Sequence, residues 1–255
     1  MRTIGTDAPV AGRHLIVNAD DFGQSPGVNR GIIEAHQRGI VTSASLMVRW
    51  PYAAEAAAYG RAHPDFSLGL HFDFGEWCQR DETWTALYEV VPLDDAVAVS
   101  AEASRQLARF RALAGKDPTH LDSHQHDHRS EPVRSVLIEI AGTLGVSLRH
   151  CSPEISYCGN FYGQMADGSP HPNAISVDGL IETLAALPPG VTELGCHPGW
   201  GNDLDSMYVR ERATEVEVLC DDRVRTAIVR AGIELRSFRG TRKSWPTSLQ
   251  PGPAL

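Results

Sequence analysis

Two adjacent carboxylates, Asp20 and Asp21, end an apolar run in the segment HLIVNADDFG, residues 14–23. The apolar residues 15–17 are typical of a buried strand, which would hold both side chains at its carboxyl end. Strand alternation would point the two side chains to opposite faces, so we expect them to have different roles. Neighbouring anions repel each other unless a cation or a shared proton relieves the charge. The pair is therefore either a solvated turn or part of a site that holds a positive ion.

Histidines follow three other strand-like runs. His71 lies in SLGLHFDF, His124 and His126 lie in HLDSHQHDH, and His197 lies in ELGCHPGW. Each has an ordinary structural explanation when taken singly, since a histidine on an apolar strand is usually a core residue and a His-rich stretch can be a polar loop. Imidazole and carboxylate together are common ligands of first-row metals, and two histidines with one aspartate leave positions open for water and substrate. The combined pattern predicts a catalytic metal site.

These residues can meet only if the secondary structure brings them together. Strand-like and helix-like runs alternate about seven times, which predicts a parallel sheet covered by helices. We expect an α/β fold, a distorted TIM-like (β/α) barrel with about seven strands, with a doubly wound open sheet as the alternative. In both folds the carboxyl ends of the strands share one face, where active sites lie. The predicted strands are 14–19, 41–48, 67–74, 118–125, 146–150, 191–197 and 233–238, and the predicted helices are 27–39, 52–63, 93–115, 131–145, 176–187 and 214–232.

Bulk composition excludes several classes of protein. The chain has 255 residues, of which 42% are hydrophobic and 22% charged, as is typical of a globular protein with a sizeable core. A net charge of −9 argues against nucleic acid as a partner, because phosphate binding needs a basic surface. Five cysteines without a C-x-x-C pair indicate neither a disulfide framework nor a thiolate zinc site, which favours the cytoplasm. No apolar run is long enough for a membrane span. We predict a single domain over residues 12–240, with flexible tails at 1–11 and 241–255.

Three further residues are candidates for substrate binding. Arg149 ends the fifth strand-like run and could orient a carboxylate or bind the substrate, with a structural ion pair as the alternative. Trp200 could stack on a sugar face or be a packed loop aromatic. His126 is either a further metal ligand or a hydrogen-bond partner of the substrate, and the role of His128 is left open.

The ordered motifs resemble the ChbG/HpnK carbohydrate deacetylase family, also called YdjC-like. The resemblance spans residues 14–238 and rests on VNADDFG, GIIEAHQRGIVTSASLMV, GLHFDF, THLDSHQHDH, LRH and CHPGW. It implies a (β/α) barrel and the metal-dependent removal of N-acetyl groups from amino sugars. Members of the family often read HHHVH where this chain has HQHDH. After His71 this chain continues with the acidic and aromatic FDFGEWCQRDETW, so specificity for phosphorylated disaccharides is not carried over.

The resemblance also implies roles for the strand-end residues. Asp21, His71 and His124 would bind one divalent ion, Mg²⁺ or Zn²⁺. Asp20 would be the general base that takes a proton from water, and His197 the acid that protonates the leaving amine. The substrate would be a chito-oligosaccharide or a related N-acetylglucosamine conjugate, and a homodimer is the default assembly. The alternatives are another metal-dependent barrel hydrolase or isomerase, and a non-catalytic sugar-binding protein that retains the metal.

Overall fold

The computed structural model describes residues 12–80, 83–201 and 203–239; the predicted tails lie outside the described residues. In this part of the chain the strands are β1 (Arg13–Phe22), β2 (Ser43–Leu46), β3 (Ser67–Phe72), β4 (Gly75–Arg80), β5 (Thr83–Glu89), β6 (His120–Ser123), β7 (Ser147–Leu148), β8 (Ile155–Cys158), β9 (Gly190–Cys196) and β10 (Ile233–Arg236). The α-helices are α1 (Pro26–Gln37), α2 (Ala53–Ala62), α3 (Ala96–Ala114), α4 (Val133–Leu144), α5 (Val177–Ala185), α6 (Arg210–Leu219) and α7 (Asp222–Arg230). None of these helices is long and apolar enough to cross a membrane.

The main sheet is parallel and curls into a barrel-like shape. Its strands follow the order β7-β6-β3-β2-β1-β9-β8, and β10 pairs with the first residues of β1. Within the described residues, β7 and β8 are the two edges and do not pair with each other. Side chains still meet across this gap, since the ring centroids of His150, just after β7, and Tyr157, on β8, are 4.6 Å apart. The predicted α/β barrel-like fold is confirmed, with one opening between β7 and β8.

Strand β1 lies in the middle of the sheet and is buried along most of its length. Leu15, Ile16 and Val17 are fully buried, as expected for a parallel strand with helices packed over the sheet. Strand β2 flanks the second half of β1 on one side, and β9 flanks its first seven residues on the other. The carboxyl ends of these neighbouring strands therefore face the same rim, which positions the candidate site.

The structure differs from the predicted elements in three segments. Strands β4 and β5 lie in a segment with no predicted strand or helix, and they pair antiparallel; β5 is rich in Thr and aromatic residues that suit a strand. Residues 151–173, which also have no predicted strand or helix, contain β8, which is too short to show a clear period in the sequence. The predicted helix 214–232 is two helices, because Asp221 adopts an extended conformation and accepts a hydrogen bond from the backbone of Arg223 as the N-cap of α7.

Two glycines let α1 touch the loop that follows β9. A Cβ atom on Gly31 would lie 2.4 Å from the Cα of Gly199, and one on Gly27 would lie 1.8 Å from the carbonyl oxygen of Trp200. The backbone N–H of Trp200 donates to the carbonyl of Gly27 at 2.9 Å. His197 begins this loop, so the close approach of α1 fixes the position of its imidazole.

The variant Gly31→Ala is expected to lower the free energy of unfolding by about 1–3 kcal/mol, because the added methyl pushes α1 away from Gly199. Helix propensity alone would make the alanine variant more stable by about 1 kcal/mol. A loss of stability would therefore come from the close contact with Gly199. Urea unfolding followed by circular dichroism measures the change. The matched control is Gly142→Ala in α4, where a Cβ would meet nothing within 4 Å. Equal stability of the two variants would contradict this explanation.

Candidate metal centre and active site

Asp21, His71 and His124 converge at the rim of the sheet. Oδ1 of Asp21 lies 3.4 Å from Nε2 of His71 and 3.2 Å from Nδ1 of His124. One possible ligand atom from each residue lies within 4.8 Å of the others, and all three residues are buried. The three predicted ligands come from β1, β3 and the turn after β6, so the fold alone brings them together.

The unsatisfied atoms of this cluster fit a divalent cation. Oδ1 of Asp21 and Nε2 of His71 are buried and have no hydrogen-bond partner. The opposite atoms are engaged: Oδ2 of Asp21 accepts from Nη2 of Arg212 at 2.6 Å, and Nδ1 of His71 lies 2.8 Å from Oδ1 of Asp122. A carboxylate only accepts, so Nδ1 of His71 carries a proton, and Nε2 is the nitrogen that can give up its proton and offer a lone pair to a cation. Outer partners of this kind orient metal ligands.

The local charges also favour a cation. Burial opposes the ionisation of Asp21, but the Arg212 guanidinium and the nearby imidazoles of His124 and His71 hold its pKa well below the usual range. Burial likewise opposes protonation of His71, yet the charge of Asp122 raises the pKa of that imidazole to about 9. Carboxylates that favour a charged imidazole also favour a bound metal ion.

The variant Asp122→Asn is expected to weaken metal binding by about 10–100-fold. Ser45, Arg149 and Asn18 all donate to Oδ2 of Asp122, so the amide oxygen should take that place and leave the NH₂ facing His71. His71 would then accept through Nδ1 and carry its proton on Nε2, which is the wrong tautomer for a metal ligand. Calorimetric titration with Zn²⁺ measures the affinity; an unchanged affinity would exclude this role for Asp122.

Both adjacent carboxylates face the same cavity, which strand alternation alone does not predict. The pairing of β1 with β2 shifts register between Ala19 and Phe22, and Asp21 has a left-handed φ of 67°. Bulges of this kind re-aim side chains near active sites. Asp20 and Asp21 consequently both line the cavity, while their outer partners remain different.

Arg149 holds Asp20 through a bidentate ion pair. Its Nη1 and Nη2 donate to the two carboxylate oxygens of Asp20 at 2.6 and 2.7 Å, and it also pairs with Asp122 and Glu193. Burial opposes the ionisation of Asp20, but the charge of Arg149 holds its pKa below the usual value. Arg149 is 4% exposed and is absent from the cavity lining among the described residues. The guanidinium thus orients a carboxylate from outside the cavity, and the substrate contact of Arg149 stays a prediction.

His197 lies on the other side of Asp20. Its Nε2 is 3.8 Å from Oδ2 of Asp20, and its Nδ1 is buried without a hydrogen-bond partner. The imidazole packs edge-on against the rings of Tyr162 and Tyr208, with centroids 5.3 and 5.6 Å away. Its backbone N–H donates to Glu215 at 2.5 Å. Burial lowers the pKa of His197 to about 4 although Asp20 and Asp21 oppose this, so the resting imidazole is neutral.

Trp200 does not contact the cavity. Its Nε1 donates to Oε2 of Glu34 at 2.8 Å, and Glu34 belongs to α1. The indole is absent from the cavity lining in the described part of the chain. This contact with α1 favours the alternative of a packed loop aromatic, and the stacking of Trp200 on a sugar stays a prediction.

The cavity has a volume of about 700 Å³ and contains both the metal cluster and the Asp20–His197 pair. His126 lines it, as do aromatic and acidic side chains that sequence reasoning did not single out. They include Trp77, Trp84 and Glu76 from the hairpin β4–β5, Asp127 from the 3₁₀ turn after β6, and Tyr157 from β8. The basic side chain of Arg212, from α6, also lines the cavity. The acidic and aromatic residues that follow His71 in the sequence could have indicated that the hairpin lines the cavity. Arg212 had no such signal, since an arginine on an amphipathic helix is usually solvated.

Left-handed backbone conformations also concentrate at this site. Among the described residues, the non-glycine positions with positive φ are Asp21, Gln125, His126 and His150. The first three line the cavity. Such conformations cost about 1–3 kcal/mol each and persist where the surrounding structure imposes them, often at functional sites.

A curled parallel α/β sheet with polar residues converging at the strand ends defines an enzyme of the barrel class. The sequence model of the YdjC-like protein family matches residues 14–230, and the chain belongs to this family. It is 33% identical over 264 residues to a chitooligosaccharide deacetylase of Serratia marcescens, covering 88% of this chain and 98% of that protein. It is 33% identical over 255 residues to a carbohydrate deacetylase of Geobacillus stearothermophilus, covering 89% and 97%.

Solved structures share the fold. A crystal structure of an Enterococcus faecalis protein, provisionally named for cellobiose-phosphate cleavage, matches with a TM-score of 0.75 at 26% identity over 91% of this chain and 100% of that chain. A family 4 carbohydrate esterase from Streptomyces lividans, solved with acetate, matches with a TM-score of 0.54 at 15% identity over 92% and 99%. The second likeness concerns the fold alone.

Proposed function

We propose that this carbohydrate deacetylase holds one divalent metal ion and removes N-acetyl groups from an amino sugar, releasing acetate. The enzyme class rests on the family and on relatives named as carbohydrate and chitooligosaccharide deacetylases. The observation that carries the proposal is the cluster of Asp21, His71 and His124 beside the Asp20–His197 pair in one cavity. A metal-dependent hydrolase uses both a cation to polarise the carbonyl and groups that transfer protons.

Asp21, His71 and His124 would hold the ion. When bound, the ion lowers the pKa of a water molecule and polarises the amide carbonyl. Two imidazole ligands favour Zn²⁺ over Mg²⁺ by intrinsic affinity, because Mg²⁺ prefers oxygen. Arg212 and Asp122 fix the carboxylate and the first imidazole from outside, so that the free lone pairs point inward.

The proton transfers fall to Asp20 and His197. Asp20 stays ionised because of Arg149 and can accept a proton from the attacking water. His197 is neutral at rest, so the proton that it donates to the leaving amine has to arrive during the reaction. Asp20 lies 3.8 Å from Nε2 of His197 and can supply that proton with a small movement of either side chain.

The charge of the cavity favours an uncharged amino sugar over a phosphorylated one. Glu76 and Asp127 line the cavity beside Asp20 and Asp21, although burial raises the pKa of Asp127 to about 7, and no lysine lines the cavity within the described residues. The guanidinium of Arg212 is already paired with Asp21. The aromatic rings of the hairpin suit the apolar face of a sugar. We therefore propose chito-oligosaccharides as the substrate class.

Acetate release from N-acetylglucosamine, its uncharged oligomers and their 6-phosphates tests the proposal. Each reaction is run after chelation and again with Zn²⁺, Mg²⁺, Mn²⁺ or Co²⁺ restored. We expect metal-dependent release that is faster for the uncharged oligomers. Release that survives complete removal of metal would refute the metal dependence, and faster release from the 6-phosphates would refute the substrate class. The cytoplasmic location and the homodimer stay predictions.

A further inference from the structure

A second cluster of histidines lies beside the candidate active site. His126, His128 and His150 each offer a ring nitrogen, and these nitrogens lie within 4.8 Å of one another. The ring centroids are 5.7 Å apart for His126 and His128, 5.2 Å for His126 and His150, and 5.7 Å for His128 and His150. None of the three belongs to the cluster of Asp21, His71 and His124.

The cluster connects two strand ends near the opening of the barrel. His126 and His128 lie in the 3₁₀ turn His124–Arg129 that follows β6, and His150 follows β7. His128 is buried, His126 is partly buried and His150 is exposed. The exposed histidine leaves a path by which an ion can enter from solvent, as a real metal site requires.

Two nitrogens of the cluster have no partner in the structure. Nδ1 of His126 and Nε2 of His128 are buried and make no hydrogen bond. Nδ1 of His128 lies 2.7 Å from Oγ of Ser123, which also accepts from the backbone N–H of His128 at 3.0 Å. When Nδ1 donates to this hydroxyl, Nε2 keeps a free lone pair, the same arrangement that Asp122 imposes on His71. Buried polar atoms without a partner are rare and need an explanation.

The backbone is held in an uncommon conformation at two of these residues. His126 has a φ of 58° and His150 a φ of 61°, both in the left-handed region. Asp21, a residue of the first cluster, has the same property. Both imidazoles lie beside that of His128, and a bound ion would stabilise this part of the backbone.

The guanidinium of Arg149, the residue before His150, does not add an unbalanced positive charge beside the cluster. It forms ion pairs with Asp20, Asp122 and Glu193.

We propose that His126, His128 and His150 form a second metal site, which binds Zn²⁺ or a similar transition-metal ion through three imidazole nitrogens. A tetrahedral ion with Zn–N bonds of about 2.0–2.1 Å needs its nitrogens about 3.4 Å apart, so the rings approach by about 1.5 Å at most. The fourth position stays open to water. Mg²⁺ is excluded because it requires oxygen ligands. The ion joins the turn that lines the catalytic cavity to the end of β7.

Metal stoichiometry of the full chain tests this site without reference to activity. Zn²⁺ is titrated into the metal-free protein by calorimetry, and bound zinc is counted by elemental analysis after desalting. We expect two equivalents for the unaltered chain, one for His150→Asn, and two for the control His171→Asn, which alters an exposed histidine outside both clusters. Asparagine is chosen at position 150 because it tolerates positive φ. A titration with Mg²⁺ should fill at most one site.

Failure of this site and failure of the proposed function give different results. The variant Asp21→Asn should lose the first ion and keep the one in the histidine cluster. One equivalent of zinc in both the unaltered chain and His150→Asn, with acetate release intact, would overturn the second site alone. If His150→Asn fails to fold, Co²⁺ spectroscopy replaces it. Tetrahedral Co²⁺ absorption that persists in Asp21→Asn supports the site, and its absence overturns it.

Discussion

The variant Asp20→Asn is expected to release acetate about 10²–10⁴ times more slowly than the unaltered chain while it retains the metal ion. The amide cannot accept a proton from water, so the proposed general base is lost. We expect the metal cluster to persist, because Asp20 makes its polar contacts with Arg149, Asn18 and His197, although one of its oxygens lies within 4.8 Å of a ring nitrogen of His71. Initial rates of acetate release and zinc content, measured on the same sample, separate the two effects.

Folding of Asp20→Asn should survive the change. Its amide oxygen can still accept from Arg149, and that guanidinium keeps its ion pairs with Asp122 and Glu193. We expect a loss of about 1–3 kcal/mol in the free energy of unfolding, as for one buried hydrogen bond. The control Asp117→Asn alters an exposed carboxylate that pairs with Arg111 and should leave the rate unchanged. A near-normal rate in metal-loaded Asp20→Asn would exclude Asp20 as the base.

The variant Asp21→Asn is expected to weaken binding of the first metal ion by more than about 100-fold, because loss of a ligand costs more than loss of a residue that only hydrogen-bonds to a ligand. Acetate release should fall to background. Arg212 donates to Oδ2 of Asp21 at 2.6 Å, so the amide oxygen should take that position. The NH₂ group would then replace Oδ1, the atom nearest His71 and His124, and would point its hydrogens at the ion. Asparagine suits the left-handed φ of 67° at this position, so the backbone is preserved.

Zinc titration measures the metal affinity of Asp21→Asn, and acetate release at saturating metal measures its activity. Activity that returns at high metal concentration would mean that the introduced amide still coordinates weakly, and the rate of the variant should then approach that of the unaltered chain. Full zinc affinity in Asp21→Asn would remove Asp21 from the ligand set. Asp20→Asn and Asp21→Asn together assign separate roles to two adjacent carboxylates: the first should change turnover without metal loss, and the second should change both.

The sequence predicted the fold class and the place where the polar residues would meet. The alternation of strands and helices requires a parallel sheet, and a parallel sheet places all strand carboxyl ends on one rim. This rule is sufficient to bring Asp21, His71 and His124 together from distant parts of the chain. Their catalytic roles remain predictions that the variants above test.

The sequence could not indicate which residues contact the site residues from outside the cavity. Arg149 and Trp200 belong to the motifs LRH and CHPGW, yet one contacts Asp20 from outside the cavity and the other contacts α1. Arg212 lies far from any motif and still contacts Asp21. Such contacts depend on the direction of a side chain and on the packing of a helix against the sheet, and neither property has a periodic signature in the sequence.

The sequence alone determined a barrel-like α/β chain with acidic and imidazole groups at its strand ends, because hydrophobic periodicity and residue type are local properties. Only the tertiary structure decided that a bulge aims both Asp20 and Asp21 into one cavity, that the hairpin β4–β5 walls it, and that His150 joins the two histidines after β6. These features arise where distant segments impose backbone conformations that residues would not adopt alone. The left-handed φ values at Asp21, His126 and His150 are examples of such imposed conformations.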